Sequence, residues 1–123
     1  MPKRMNTKKL ILAIDFDGTI VEHCFPEIGE PISQAFDSLL KMKECGHLLI
    51  LWTCREDSEQ RQYLTEAVDF CADRGLHFDA INTDVAESPY SHLGTGRKIF
   101  ADYYIDDKAM FPTWEAFSGG LTL

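Results

Sequence analysis

Residues 10–20, LILAIDFDGTI, form an apolar run that breaks off in two aspartates spaced i and i+2, with a glycine and a threonine directly after them. Leu10 to Ile14 is continuous rather than alternating, which is the pattern of a strand buried on both faces. Such a strand delivers Asp15 and Asp17 where the sheet meets solvent. What else the chain brings to that edge decides how the pair is read.

Three further apolar runs have strand character: Leu48 to Trp52, Phe78 to Ile81 and Tyr103 to Ile105. Between the first two strands, PISQAFDSLLKMKECG places Ile32, Ala35, Phe36, Leu39, Leu40 and Met42 at helical spacing, with Pro31 as an entry signal and Gly46 as a stop. Between the second and third, DSEQRQYLTEAVDFCADRG carries an apolar stripe from Tyr63 to Cys71. Asp57 or Ser58 is expected to cap it, and Gly75 to end it. A last short helix is expected around Pro112 to Phe117. Strands alternating with helices predict an α/β fold: a parallel sheet with helices on both faces and a crevice beyond the carboxyl ends of the strands. The connection from Asn82 to Lys98 is long for a segment without clear periodicity, as functional loops often are.

A chain of 123 residues suits one domain, residues 1–123, with residues 1–7 expected to be a flexible basic arm. The formal charge of −8 argues against a nucleic-acid partner, which needs a basic face. Leu10 to Ile14 is far too short to cross a bilayer or to form a secretory signal, so no membrane partner and a cytoplasmic location are expected. Cys24, Cys45, Cys54 and Cys71 form no C-x-x-C pair and are expected to be reduced.

Parallel strands would gather Asp15, Asp17, Thr53, Asp106 and Asp107 at one edge, with Lys98 arriving from the segment before the last strand. Taken alone, each has an ordinary structural role: aspartate turns chains, threonine fills strands, and lysine is solvated. Taken together, four carboxylates would repel one another unless a cation or a substrate compensates. An all-oxygen set suits Mg²⁺.

In these positions the chain resembles the haloacid dehalogenase superfamily of phosphohydrolases. D-x-D-G-T is matched by Asp15, Asp17, Gly18 and Thr19, the strand ending in Ser or Thr by Thr53, the lysine by Lys98, and the paired acids by Asp106 and Asp107. The resemblance implies a fold of that type without a cap domain, because Thr19 to Thr53 and Thr53 to Lys98 leave no room for one. It further implies a Mg²⁺-dependent phosphomonoester phosphatase. Asp15 would be the nucleophile forming an aspartyl-phosphate, and Asp17 the general acid and base. Thr53 and Lys98 would bind the phosphoryl group. The metal ligands would be Asp15, the Asp17 backbone carbonyl and Asp106 or Asp107, with the choice between those two open. Gly18, Thr19, Thr53, Arg55 and Lys98 would line the substrate. Capless members act on large substrates or have a partner cover the site, so a phosphorylated small molecule or a larger substrate, and a homo-oligomer, stay open.

The segment Val21 to Gly29 is a short flap in which His23, Phe25 and Pro26, like Arg55 and Glu56 beyond Thr53, serve either as substrate contacts or as plain loop. A receiver domain would place its paired acids first, whereas here they come last. A phosphate- or metal-binding module and a phosphotransferase or mutase are alternatives that keep the same residues. GTGRK at Gly94 to Lys98 does not match the P-loop spacing. His47 and His77 read as boundary residues, and His92 falls within the long connection.

Overall fold

The computed structural model describes residues 9–89 and 98–107 together with Trp114. The basic arm, His92, the two glycines of GTGRK and the expected final helix apart from Trp114 lie outside the described residues. The elements run β1 (Ile11–Ile14), α1 (Ala35–Glu44), β2 (Leu48–Leu51), α2 (Tyr63–Ala72), β3 (Ala80–Ile81) and β4 (Tyr103–Ile105). They form an α/β fold whose four-stranded sheet has the order β3-β2-β1-β4, with every neighbouring pair parallel.

All residues of β1 and β2 are buried, as their unbroken apolar character predicts. Their side chains alternate between two cores. Leu12, Ile14, Leu49 and Leu51 pack with Ala35, Leu39 and Met42 of α1 and with Ala67 and Cys71 of α2. Ile11, Ala13, Leu48 and Ile50 pack instead against Val85, Ile99 and Ala101. Burying one such aliphatic side chain contributes roughly 1.5–3 kcal/mol, so the core, not the polar tips, holds the strand ends in place.

Among the described residues α1 and α2 lie on the same face, so the expected helical cover is seen on one side of the sheet. Crossover handedness supplies the reason. The chain steps from β1 to β2 to β3 in one direction, and two right-handed crossovers in one direction put both helices on one side. Only the return from β3 to β4 passes over the other side, and there Val85, Ile99 and Ala101 of that connection cover the sheet.

Local signals behave unevenly. α1 stops at Gly46 as expected, in a turn closed by His47 N–H donating to the Met42 carbonyl at 3.1 Å. α2 begins later than expected, after Gln62, which makes no side-chain cap. Asp57 still does a cap's work from a distance, accepting from the Thr65 N–H at 2.9 Å. His47 is buried at the start of β2, accepting from Leu10 N–H at 3.0 Å through Nδ1, and burial lowers its pKa.

Candidate functional site

Ile14 stands level with Leu51 on one side and with Ile105 on the other, so β1, β2 and β4 end along one line. The residues that follow therefore emerge together: Asp15 after β1, Thr53 just beyond β2, Asp106 and Asp107 after β4. The connection from β1 leads away to β2, while β4 returns on its opposite side, so the crevice lies at a topological switch point of the sheet. A cavity of about 480 Å³ opens there, lined by these residues and by Asp17, His23, Phe25, Cys54 and Arg55. That volume suits a small ligand or one end of a larger one.

Three carboxylates converge in this cavity. Asp15, Asp106 and Asp107 each offer an oxygen within 4.8 Å of the others. Asp15 is tied to β4 by its N–H, which donates to the Ile105 carbonyl at 2.9 Å. Burial pushes its pKa up from 3.8 to about 6, with the charges of Asp106, Asp107 and Asp17 adding to the rise and the Phe16 N–H opposing it. A hard, oxygen-preferring cation such as Mg²⁺ or Ca²⁺ is the group this donor set fits, since its charge would relieve the repulsion.

The turn after Asp15 is shaped by Gly18, whose φ of 87° few other residues adopt. A Cβ there would lie 2.6 Å from Asp107 Oδ2, so the absence of a side chain lets the turn pass beneath that carboxylate. Thr19 is buried rather than facing a ligand. Its hydroxyl donates to Asp15 Oδ2 at 3.4 Å, and its carbonyl accepts from Trp114 Nε1 at 2.9 Å. Thr19, expected to line the substrate, is not among the described residues lining the cavity and touches Asp15 instead.

On the β2 side, Thr53 lines the cavity and its Oγ1 accepts from the Arg55 N–H at 3.1 Å. That leaves the hydroxyl proton to point elsewhere, and the cavity is the side it lines. The Thr53 N–H donates to Asn82 Oδ1 at 2.8 Å, and Asn82 sits in the left-handed region at φ 54°. Asn82 escaped the sequence reading. Its signal was an asparagine directly after an apolar run, a residue that tolerates this conformation and whose amide can bond to neighbouring backbone.

Arg55, read from the sequence as either a substrate contact or plain loop, has a partner inside the protein. It borders the cavity, but its side chain is 1% exposed and binds Asp17 at 2.8 Å. Lys98 is not among the described residues lining the cavity, and its ammonium lies 4.5 Å from the centroid of the Tyr104 ring. His23 and Phe25 do line the cavity, and Phe25 is 48% exposed at its mouth. All four cysteines are free, with Cys54 exposed at the cavity wall and Cys71 buried.

The molecule is thus an α/β protein with an acidic crevice at the carboxyl edge of a parallel sheet. No family model and no curated protein matches the chain. Among solved structures it is similar to a conserved protein coded by a locus from Bacteroides thetaiotaomicron, with 42% identity and a TM-score of 0.78 over 90% of this chain and 88% of that one. At that identity and coverage the chain belongs to the same family as the Bacteroides protein. The description of that protein names no activity.

Proposed function

We propose that the protein is a Mg²⁺-dependent phosphomonoester hydrolase of the haloacid dehalogenase type. The observation that carries this reading is the convergence of the Asp15, Asp106 and Asp107 oxygens within 4.8 Å in a crevice at the switch point. A bound Mg²⁺ would supply positive charge to offset these carboxylates and the phosphate of the substrate. Asp15, Asp106 and Asp107 would hold it, with the Asp17 backbone carbonyl added by the resemblance.

In this reading Asp15 attacks phosphorus in line and becomes an aspartyl-phosphate as the bond to the ester oxygen breaks. The leaving oxygen takes a proton from the Asp17 carboxyl. Asp17 then takes a proton from water, which attacks the aspartyl-phosphate and releases inorganic phosphate, so protons balance over the cycle. Both Asp17 oxygens bond to Arg55, but each retains a further lone pair on a residue that lines the cavity. The Thr53 hydroxyl would donate to a phosphoryl oxygen. Lys98 enters by its motif position alone, since its ammonium lies by Tyr104.

The absence of a cap is part of the proposal. From β1 to β2 and from β2 to β3 the chain carries loops and one helix each, α1 and α2. The site would then be closed by the loop at 22–30 and by the body of the substrate itself.

Hydrolysis of p-nitrophenyl phosphate, measured with Mg²⁺ and with EDTA, tests the reading. Phosphate release that needs Mg²⁺ and stops in EDTA is expected. No release with Mg²⁺, together with failure of beryllofluoride to form an adduct on Asp15, would remove the hydrolase and leave a binding module.

A further inference from the structure

Arg55 uses every hydrogen-bond donor of its guanidinium inside the protein. Nε donates to Asp17 Oδ2 at 2.8 Å, and one terminal nitrogen donates to Asp17 Oδ1 at 2.8 Å and to the Glu27 carbonyl at 3.1 Å. The other terminal nitrogen donates to the carbonyls of Tyr63 at 3.2 Å and Pro26 at 3.5 Å. A guanidinium has five N–H groups, so none is left for a ligand. The rings of Phe16 and Phe25 flank it, with centroids 5.1 and 5.0 Å away. A charge buried this deeply is tolerated only when it is paired and fully bonded, and the planar fork of arginine matches a carboxylate in two parallel bonds.

These partners belong to three separate parts of the fold: the turn after β1, the loop at 22–30 and the first residue of α2. Arg55 is the side chain that ties the loop to the turn after β1, while Phe25 meets the Tyr63 ring at 5.3 Å and Ile28 packs on the core. The neck of the loop is drawn together where Glu22 N–H donates to the Glu30 carbonyl at 2.7 Å, and where Gly29 passes so close to Glu22 that a Cβ would lie 2.2 Å from its carbonyl oxygen. Farther out, Glu27 reaches Arg61 at 3.1 Å on the surface, a contact that contributes little in water. The middle of the loop carries His23 and Phe25, which form the cavity wall.

We propose that Arg55 is a positioning residue that couples the loop at 22–30 to the carboxylate of Asp17, so that one buried side chain sets the wall of the cavity and the placement of the acid/base together. The kinetic half rests on the proposed hydrolase reading, and the structural half does not. Arg55 does not bind the phosphoryl group. A bidentate fork cannot be replaced by the single ammonium of lysine, so Arg55→Lys keeps the charge while releasing the loop and loosening Asp17.

The test is a double-mutant cycle joined to amide hydrogen exchange. With p-nitrophenyl phosphate and Mg²⁺, Arg55→Lys is expected to lower kcat about 10-fold or more with KM within about 3-fold of wild type, whereas on an Asp17→Asn background the same change costs less than about 3-fold. Equal loss on both backgrounds, or a rise in KM at unchanged kcat, would show that Arg55 acts on substrate directly and would overturn the proposal. Exchange of the amides at 22–30 is expected to rise about 10-fold or more in Arg55→Lys while that of β1 and β2 stays unchanged. The neutral pair Asp17→Asn with Arg55→Gln leaves no charge buried and gives the same readout if Arg55→Lys does not fold. Unchanged exchange in the loop overturns the coupling even if the wild type hydrolyses nothing, and a wild type without activity but with the exchange change overturns only the hydrolase reading.

Discussion

Asp15 and Asp17 leave the same strand two residues apart, yet they meet opposite surroundings. Asp15 faces Asp106 and Asp107, and burial among negative charges pushes its pKa up to about 6. Asp17 faces Arg55, whose guanidinium holds both of its oxygens at 2.8 Å. One carboxylate is gathered with two others of its own sign; the other is paired by the protein itself. The contrast teaches that spacing along a strand end does not assign a role. The neighbours contributed by β4 on one side and by the segment after β2 on the other do so.

The largest expected break in that contrast is Asp15→Asn. Loss of the proposed nucleophile should lower phosphate release by roughly 1,000-fold or more, measured with saturating Mg²⁺. The folded protein should survive, because the change removes a charge from a repelling group. Substantial residual turnover would mean that another residue attacks phosphorus.

Breaking the paired side has its main effect on stability. Arg55→Met leaves the Asp17 carboxylate without its bidentate partner and removes one donor from each of three loop and helix carbonyls, and loss of one partner of a buried pair costs about 3–5 kcal/mol. Urea unfolding should show that loss, and a shift under about 1 kcal/mol would mean that water reaches the site and replaces the guanidinium.

Between the two, Gly18→Ala tests the turn that separates Asp15 from Asp17. The added methyl would meet Asp107 Oδ2 at 2.6 Å and must adopt a φ of 87°, which together should cost about 1–3 kcal/mol and weaken Mg²⁺ binding. Isothermal titration with Mg²⁺ alongside thermal unfolding checks both effects.

The smallest expected effect sharpens the comparison through pH. In the metal-free protein Asp15 takes up its proton at about 6 when folded and at its ordinary 3.8 when unfolded. Between those values the native state binds more protons than the unfolded chain, so this residue makes stability fall as pH rises through the window, and the penalty is complete above it. Asp57, Glu27 and Glu66 have lowered pKa values and act with the opposite sign, so the contribution is isolated by comparing wild type with Asp15→Asn in EDTA. The melting temperature of Asp15→Asn should gain on wild type from pH 4 to pH 6, and Mg²⁺ at neutral pH should close that gap by raising wild type.

Much of the fold was legible because the apolar pattern of this chain is dense and local. Leu10 to Ile14 and Leu48 to Trp52 are strands within a residue of the expected bounds, and the helices before Gly46 and Gly75 follow from periodicity and stop signals. The third strand is shorter than its apolar run: Asp79 N–H still reaches the Leu49 carbonyl at 2.8 Å, but the Leu49 N–H is taken by the Asp79 side chain rather than by backbone. The coverage of the sheet was not legible, because periodicity says that a helix has an apolar face but not which side of the sheet it meets. The site divides along the same line. Asp15, Asp106 and Asp107 follow from strand ends that must lie level in a parallel sheet, whereas Asn82 and the roles of Thr19 and Arg55 depend on contacts across the chain.

The amino-acid sequence by itself determined the strands and helices of an α/β fold and which carboxylates gather at one edge, because runs of buried apolar residues specify strands and parallel strands share their direction. Only the tertiary structure decided that Asp17 belongs to Arg55 and Asp15 to the acidic cluster. A buried guanidinium makes its five hydrogen bonds to four residues up to 38 positions away in the chain, and charge pairing over such separations is set by packing, not by spacing.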